Sequence, residues 1–407
     1  MACALLNDVA AYFKHSHSPL YICSLDAEKC FDSIWHGALF YKLIGVLQDS
    51  HWLTLHTWYT KLKSVIKWNS DLSPPFRVTR GTRQGSLLSP AIFNVFIDDL
   101  LCTLKNSSAC VQIGHERLNS FAYADDVTVF SATIPGLQHL INLCSSYASR
   151  WKFTFGLAKT HCMISGNALF TASPQWFLND KPIDTVPALD VLGVTFGSNC
   201  SFTQHCESRV EKCRRSFHSL RDAGLSYPGA NTKVKSYLWN SMCKPVLLYG
   251  TDSIALSNSD ISLLESTQGK LLKCCLGFHK YCLTTPLLCA LDISNIQSLL
   301  IASNASLFKR IMRIESPINR LSCYFLSLFI LKKIVIPNTL IDRLIKANLS
   351  PIQCIYNINI ALNMYRTQKW KVESGTIDAL KFLLMSENFI KPYSEEHVLS
   401  YLLLRSF

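Results

Sequence analysis

Residues Phe121 to Phe130 read F-A-Y-A-D-D-V-T-V-F: apolar and β-forming residues lead up to two adjacent carboxylates and resume directly after them. That is how a tight hairpin carrying Asp125 and Asp126 at its tip is written. Like charges held this close repel by up to ~4 kcal/mol at 4 Å and an effective dielectric of about 20. A divalent cation turns the penalty into affinity, and hard Mg²⁺ prefers carboxylate oxygen. A bare Asp-Asp pair is far more often a solvated turn, since Asp is a common turn residue. What stands beside this stretch therefore decides its meaning.

Upstream, L-Y-I-C-S-L-D at Leu20–Asp26 is apolar on both faces until its last residue, as expected of a central strand. Alternation puts Asp26 on the face of Ile22 and Ser24, with Leu25 on the other. A helix is expected from Asp32, with Asp32 as N-cap and Leu39, Leu43, Val46 and Leu47 at helical spacing. A second helix is expected over residues 51–61, then two short strands near 64–68 and 76–80 joined by a Pro-Pro turn. Next comes G-T-R-Q-G-S-L-L-S-P, Gly81 to Pro90. Its two glycines allow close backbone approach to a ligand, and Ser89-Pro90 reads as an N-cap followed by the first helical residue. Phe93, Phe96, Ile97, Leu100 and Leu104 then form a helical core stripe. Past the hairpin, the pattern predicts a helix over 137–151, short strands flanking Lys159, and a β segment V-L-G-V-T-F ending at Phe196.

The 407 residues suffice for two or three cores, and 49% apolar content excludes a disordered tail. A net charge of +12 points to a polyanionic partner, nucleic acid before membrane. The seventeen cysteines are scattered without C-x-x-C spacing and read as small buried hydrophobes in a reducing compartment, not as a disulfide scaffold. His279, Cys282 and Cys289 lack a fourth ligand and are read as core. Asn7 and Asp8 interrupt the only early apolar run, and the stretch from Cys323 to Leu331 is too short to span a bilayer. The expectation is a nuclear or cytoplasmic protein, neither secreted nor membrane-bound. From Gln204 the chain is helical and basic: Val210, Cys213, Phe217 and Leu220 share one face, with Arg209, Lys212, Arg214 and Arg215 largely elsewhere. Eight Lys/Arg against three Asp/Glu over residues 201–250 make phosphate contact as good a reading as a solvated face.

Asp26 at the end of a central strand, and Asp125 and Asp126 on a hairpin that can lie beside it, make three carboxylates. Their neutralisation calls for roughly two divalent ions, the arrangement used in phosphoryl and nucleotidyl transfer. Here the wording of the sequence resembles a family. S-L-D-A-E-K-C-F-D-S-I, G-T-R-Q-G-S-L-L-S-P-A-I-F-N and F-A-Y-A-D-D, in this order, are similar to successive palm motifs of reverse transcriptases, in the form found in non-LTR (LINE-type) retrotransposons. A-K-T-H-C-M-I around Lys159, V-L-G-V-T-F, and P-V-L-L-Y-G ending at Gly250 follow in order.

The resemblance implies an α+β right-hand polymerase: an antiparallel palm sheet packed on helices, a helical thumb and a helical C-terminal region. Partial fingers and palm would span residues 1–200, the thumb 201–280 and the C-terminal region 281–407. Asp26, Asp125 and Asp126 would hold two Mg²⁺ ions, with Mn²⁺ as the alternative. Phe31 would be the steric gate at the sugar, whose other reading is a core aromatic. Gln84 and Gly85 would touch the incoming nucleotide and template. Lys159 would protonate the departing pyrophosphate, residues 192–194 would belong to the primer grip, and Arg209, Lys212, Arg214 and Arg215 would contact nucleic acid. The implied partners are an RNA template, a DNA primer and dNTPs. Cys30 stands where the family usually has Ala, and Gly156 where Asn is common ahead of the lysine. The chain is expected to begin inside the fingers. That leaves a non-catalytic nucleic-acid-binding remnant as the rival reading, beside a maturase or telomerase-type relative that would carry an added basic domain.

Overall fold

Leu20–Asp26 (β1) is the strand around which the sheet is built, with its first four residues buried. The computed structural model describes residues 1–82, 86, 88–166, 174–221, 231–332, 334–349, 351 and 354. On one side β1 pairs antiparallel with Asp126–Ser131 (β3), which pairs in turn with Ser120–Tyr123 (β2). On the other it pairs antiparallel with His161–Ser165 (β4). Lys181–Thr185 (β6) and Trp176–Leu178 (β5) extend the sheet to the order β5-β6-β4-β1-β3-β2. The β4–β6 pairing is parallel, the one departure among these pairs from the expected antiparallel sheet.

Helices cover one face. Tyr21, Cys23 and Leu25 of β1 enter a core with Leu39 and Leu43 of α3 (His36–Leu43), the Phe93, Phe96, Ile97, Leu100 and Leu104 stripe of α5 (Leu88–Lys105), and Leu137, Leu140, Ile141 and Cys144 of α6 (Ile134–Trp151). The stripe is fully internal, as its periodicity requires. Asp26, by alternation, belongs to the other face of β1.

Several local expectations are corrected. Asp32 is not an N-cap: it lies inside the short helix α2 (Cys30–Ser33), entered from Lys29 at φ +46°. The α3 helix stops at Leu43 because Ile44 turns extended, which leaves Val46 58% exposed. After α4 (Asp49–Thr60), the chain turns at Asn69, whose φ of +52° suits an Asn, and Pro74-Pro75 falls between the two returning strand segments, Asp71–Leu72 and Phe76–Arg77. Ser89 is already inside α5. Lys159 ends a single 3₁₀ turn (Leu157–Lys159), with no named strand directly before it.

The residues from His17 to Leu192 make one compact unit; Met1–Ser16 and Gly193–Phe407 make another. In the second, Cys206, Val210, Cys213 and Phe217 of α7 (Thr203–Leu220) pack with Trp239, Cys243 and Leu247 and with Leu264 and Leu272 of α8 (Asn258–Leu276). The α8 helix opens on a capping box of Ser257 and Asp260 and closes on Gly277 at φ +73°. His279, Cys282 and Cys289 are exposed rather than core, because they follow the helix stop instead of lying on an apolar stripe. Ten of the seventeen cysteines are buried.

Candidate active site

Register brings the carboxylates together. Asp26, the last residue of β1, stands directly opposite Asp126, the first of β3. Cross-strand partners of this kind have Cβ atoms about 5 Å apart on a common face. Tyr123 pairs with Asp126, so Ala124 and Asp125 alone make the turn. Ala124 takes φ +52°, a left-handed conformation that costs a non-glycine residue on the order of 1 kcal/mol. The Ala27 amide donates to the Asp125 carbonyl at 3.3 Å, tying the turn to the chain as it leaves β1.

The charges are felt. Partial burial, then the neighbouring charges of Asp125 and Asp26, raise the Asp126 carboxyl above the ordinary aspartate value, with Lys159 opposing. Burial first, and then the charge of Asp125, push the Cys30 thiol up to about 12, so it stays protonated and donates to the Asp125 carboxylate.

Lys159 comes to the same place by a backbone route. Glu28 N donates to Thr154 O at 2.9 Å and Gly156 N donates to Asp26 O at 2.9 Å, laying residues 154–156 alongside the end of β1. The 3₁₀ turn then delivers Lys159 Nζ to 3.1 Å from Asp26 Oδ2, with the lysine side chain 72% exposed and the aspartate's 20%. That hydrogen bond raises the ammonium pKa. The glycine standing at 156 has a local reason, since a Cβ there would lie 3.0 Å from Glu28 Cγ. Glu28 in turn accepts from Thr154 Oγ1 at 3.1 Å.

Phe31 is half-buried with its ring 5.1 Å from that of Phe93. Its carbonyl accepts from Thr82 N at 2.7 Å, Gly81 N donates to Ile34 O at 2.8 Å, and His36 Nε2 lies 2.8 Å from Gly81 O. At Gly81 a φ of +87° and a Cβ position 3.0 Å from Asp32 O admit only glycine without strain. The segment opening the Gly81–Pro90 motif is thus laced to the chain just after Asp26. Gln84 and Gly85 lie outside the described residues.

The donor set suits a hard cation: three carboxylates stand close together, and one of them holds its proton more tightly through burial first and the charges of the other two second. Among the described residues no three His, Cys, Asp or Glu side chains are arranged to enclose a metal ion, and Lys159 neutralises Asp26 instead. Sequence reasoning missed Cys30, Glu28 and His36. Cys30 was legible only as a departure from Ala, and nothing in the local pattern marks the other two.

In the helical unit Arg209 differs from its expected position. It is 9% exposed, its guanidinium lies 5.0 Å over the Tyr249 ring, and it donates to Gly193 O at 3.5 Å. Lys212, Arg214 and Arg215 are exposed, and Arg215 pairs with Glu211 one turn back. Leu192 and Gly193 form a turn with φ of +52° and +74°.

Residues 3–196 match the family model described as reverse transcriptase (RNA-dependent DNA polymerase). That stretch, just under half of the chain, is similar to reverse transcriptase domains. The reverse transcriptase relatives include the RNA-directed DNA polymerase from mobile element jockey of Drosophila melanogaster, 24% identical over 61% of this chain and 27% of that protein. Another is the Pol polyprotein of the type-2 retrotransposable element R2DM of the same organism, 31% identical over 36% of this chain and 14% of its own length. The chain thus spans under a third of either relative. These relatives are proteins of non-LTR retrotransposons, and the sheet covered by helices on one face is the expected α+β arrangement. A solved telomerase of Candida tropicalis in complex with a fragment of telomeric RNA aligns over 94% of this chain and 52% of its own at 9% identity and a TM-score of 0.39, a likeness too distant to carry an argument. No described helix is long and apolar enough to cross a membrane.

Proposed function

We propose that this chain performs RNA-directed DNA synthesis, transferring a nucleotidyl group from a dNTP to the 3′-hydroxyl of a DNA primer along an RNA template. The observation that carries the reading is the register of Asp26 against Asp126 with Asp125 in the adjoining turn. A solvated loop needs no such alignment. Asp26, Asp125 and Asp126 would hold two divalent ions, Mg²⁺ or alternatively Mn²⁺. Once bound, these supply charge neutralisation at the attacking and leaving oxygens.

The remaining work belongs to side chains. Lys159, kept as an ammonium by Asp26, is the proton donor for the departing pyrophosphate, a role worth typically about 10²–10⁴ in rate. Phe31, backed by Phe93 and by the Thr82 amide on its carbonyl, closes the space beside the sugar C2′ and rejects ribonucleotides by clash. Gln84 and Gly85 would meet the nucleotide and template. Residues 1–200 would be partial fingers and palm, 201–280 the thumb with phosphate contacts at Lys212, Arg214 and Arg215, and 281–407 a helical C-terminal region. Burial takes Arg209 out of that contact set.

Primer extension tests the reading. Residues acting as a unit lose activity non-additively. Asp26→Asn and Asp125→Asn should each lower the rate by about 10³-fold or more, and the double variant should be little worse. Multiplicative losses would argue against a shared site.

A further inference from the structure

Between α4 and the Gly81–Pro90 motif the chain makes a two-stranded ribbon. Val78 N donates to Leu62 O at 3.1 Å, Lys63 pairs with Arg77, Ser64 with Phe76, Ser73 N donates to Ile66 O at 2.9 Å, and Lys67 and Trp68 pair with Leu72 and Asp71. Every residue at 63–72 and 74–77 is exposed. At about 3.3 Å per residue the ribbon reaches roughly 20 Å from its root. A lone hairpin without a core is marginal in water, and this one bears two further costs. Lys63 and Arg77, like charges, stand directly opposite each other. Trp68 is 77% exposed, Leu72 65%, Ile66 60% and Phe76 46%. Over residues 61–80 there are five Lys/Arg and a single acid, Asp71, and among the described residues Lys63, Lys67 and Arg77 make no ion pair.

We propose that residues 62–78 are a docking arm for single-stranded RNA. Phosphates relieve the Lys63–Arg77 repulsion, and an unpaired base covers the Trp68 ring, the combination of cations and stacking platforms that single strands require. A protein partner fits less well, because interface cores are depleted in lysine. The root of the arm places it at the polymerase site. Arg80 bridges to Trp35, Gly81 N donates to Ile34 O, and Thr82 N to Phe31 O, within nine residues of Asp26. That the strand is RNA, the unpaired part of the template, rests on the polymerase reading; the arm's affinity for single strands does not.

The test is fluorescence anisotropy on the full chain with a labelled uridine oligomer of about twenty nucleotides, matched DNA, and anionic phospholipid vesicles. A Lys63→Gln, Lys67→Gln, Arg77→Gln triple variant should bind RNA at least about tenfold more weakly at low salt and flatten the slope of log affinity against log salt by about 2. Trp68→Ala should weaken it by about 5- to 100-fold. Because these side chains are exposed, far-UV circular dichroism should not change and Tm should not fall. Removing three exposed charges elsewhere (Lys105→Gln, Lys181→Gln, Lys270→Gln) should change affinity less than twofold. Unchanged RNA binding in the arm variants, or losses confined to the vesicles or to the DNA oligomer, would overturn the proposal. Loss of RNA binding here with undiminished extension by Asp26→Asn would sink the polymerase reading and leave the arm standing.

Discussion

Asp126 carries the electrostatic tension of the site in one side chain. Its carboxyl is raised above the ordinary value, so the protonated form is favoured in the folded state. A raised carboxyl adds stability that is fully present below the unfolded pKa and lost as pH rises through the folded one. At pH 7 without metal, therefore, Asp126→Asn should melt higher than the parent by about 1–3 °C. The shift is small because a half-exposed carboxylate is screened, and ~1 kcal/mol moves Tm by about 2–4 °C in a domain of this size. The gap should close toward pH 4, and Mg²⁺ should raise the Tm of the parent more than that of the variant. Thermal scans across pH with and without Mg²⁺ decide it; a gap indifferent to both would place the repulsion elsewhere.

At the scale of elements, the α3–α5–α6 layer is locked by a lysine inside it. Lys42 Nζ donates to Phe96 O at 2.6 Å and to Asp99 Oδ1 at 2.7 Å, also to the Tyr147 hydroxyl, and lies 4.1 Å from the Trp151 ring centroid. Its side chain is 6% exposed. Burial pulls its pKa down from 10.5 to about 8, with Asp99 opposing. A depressed lysine binds fewer protons folded than unfolded between these values, so the stability it contributes grows as pH rises through that window and is lost as pH falls through the lower value. The Tm of the parent minus that of Lys42→Met should therefore increase from pH 7 to pH 10. A constant difference would mean that the ammonium is solvated. The same layer shows what periodicity alone delivers: the Phe93 to Leu104 stripe was readable, whereas Lys42, a polar residue among apolar partners, reads as an exposed lysine until α5 and α6 are placed around it.

For the whole molecule, the N-terminal helix α1 (Ala2–His15) belongs to the unit completed by Gly193–Phe407, although in sequence it directly precedes the unit that starts at His17. Asn7 Nδ2 donates to Asn338 O at 3.0 Å, Leu340 N donates to Asp8 Oδ1 at 3.1 Å, and the Tyr12 and Phe325 rings stack at 6.2 Å. Arg343 meets Asp252 O, Ile254 O and Asn304 Oδ1 within 2.9 Å, joining the same layer to two more segments. Leu6 is fully buried in α1. Leu6→Ala should cost about 2–5 kcal/mol, lowering the protection of α8 amides against hydrogen exchange while leaving β1 and β3 amides protected. Equal loss in both units would show them to unfold as one.

The sequence by itself determined the elements whose signals are local. The hairpin around Asp125 and Asp126, the buried β1 and the α5 stripe depend on alternation, helical period and turn chemistry among near neighbours. Which residues meet is a matter of long-range packing. Asp26 and Asp126 are a hundred positions apart, and their pairing is a matter of strand register, set by the packing of both sheet faces. Lys159 reaches Asp26 because Gly156 lets residues 154–156 lie against Glu28. Arg209 turns inward for a ring forty residues later, and α1 crosses to the helical unit. Long-range burial overrides local character at each of these places, because the area removed from water by a distant partner outweighs what neighbouring residues prefer.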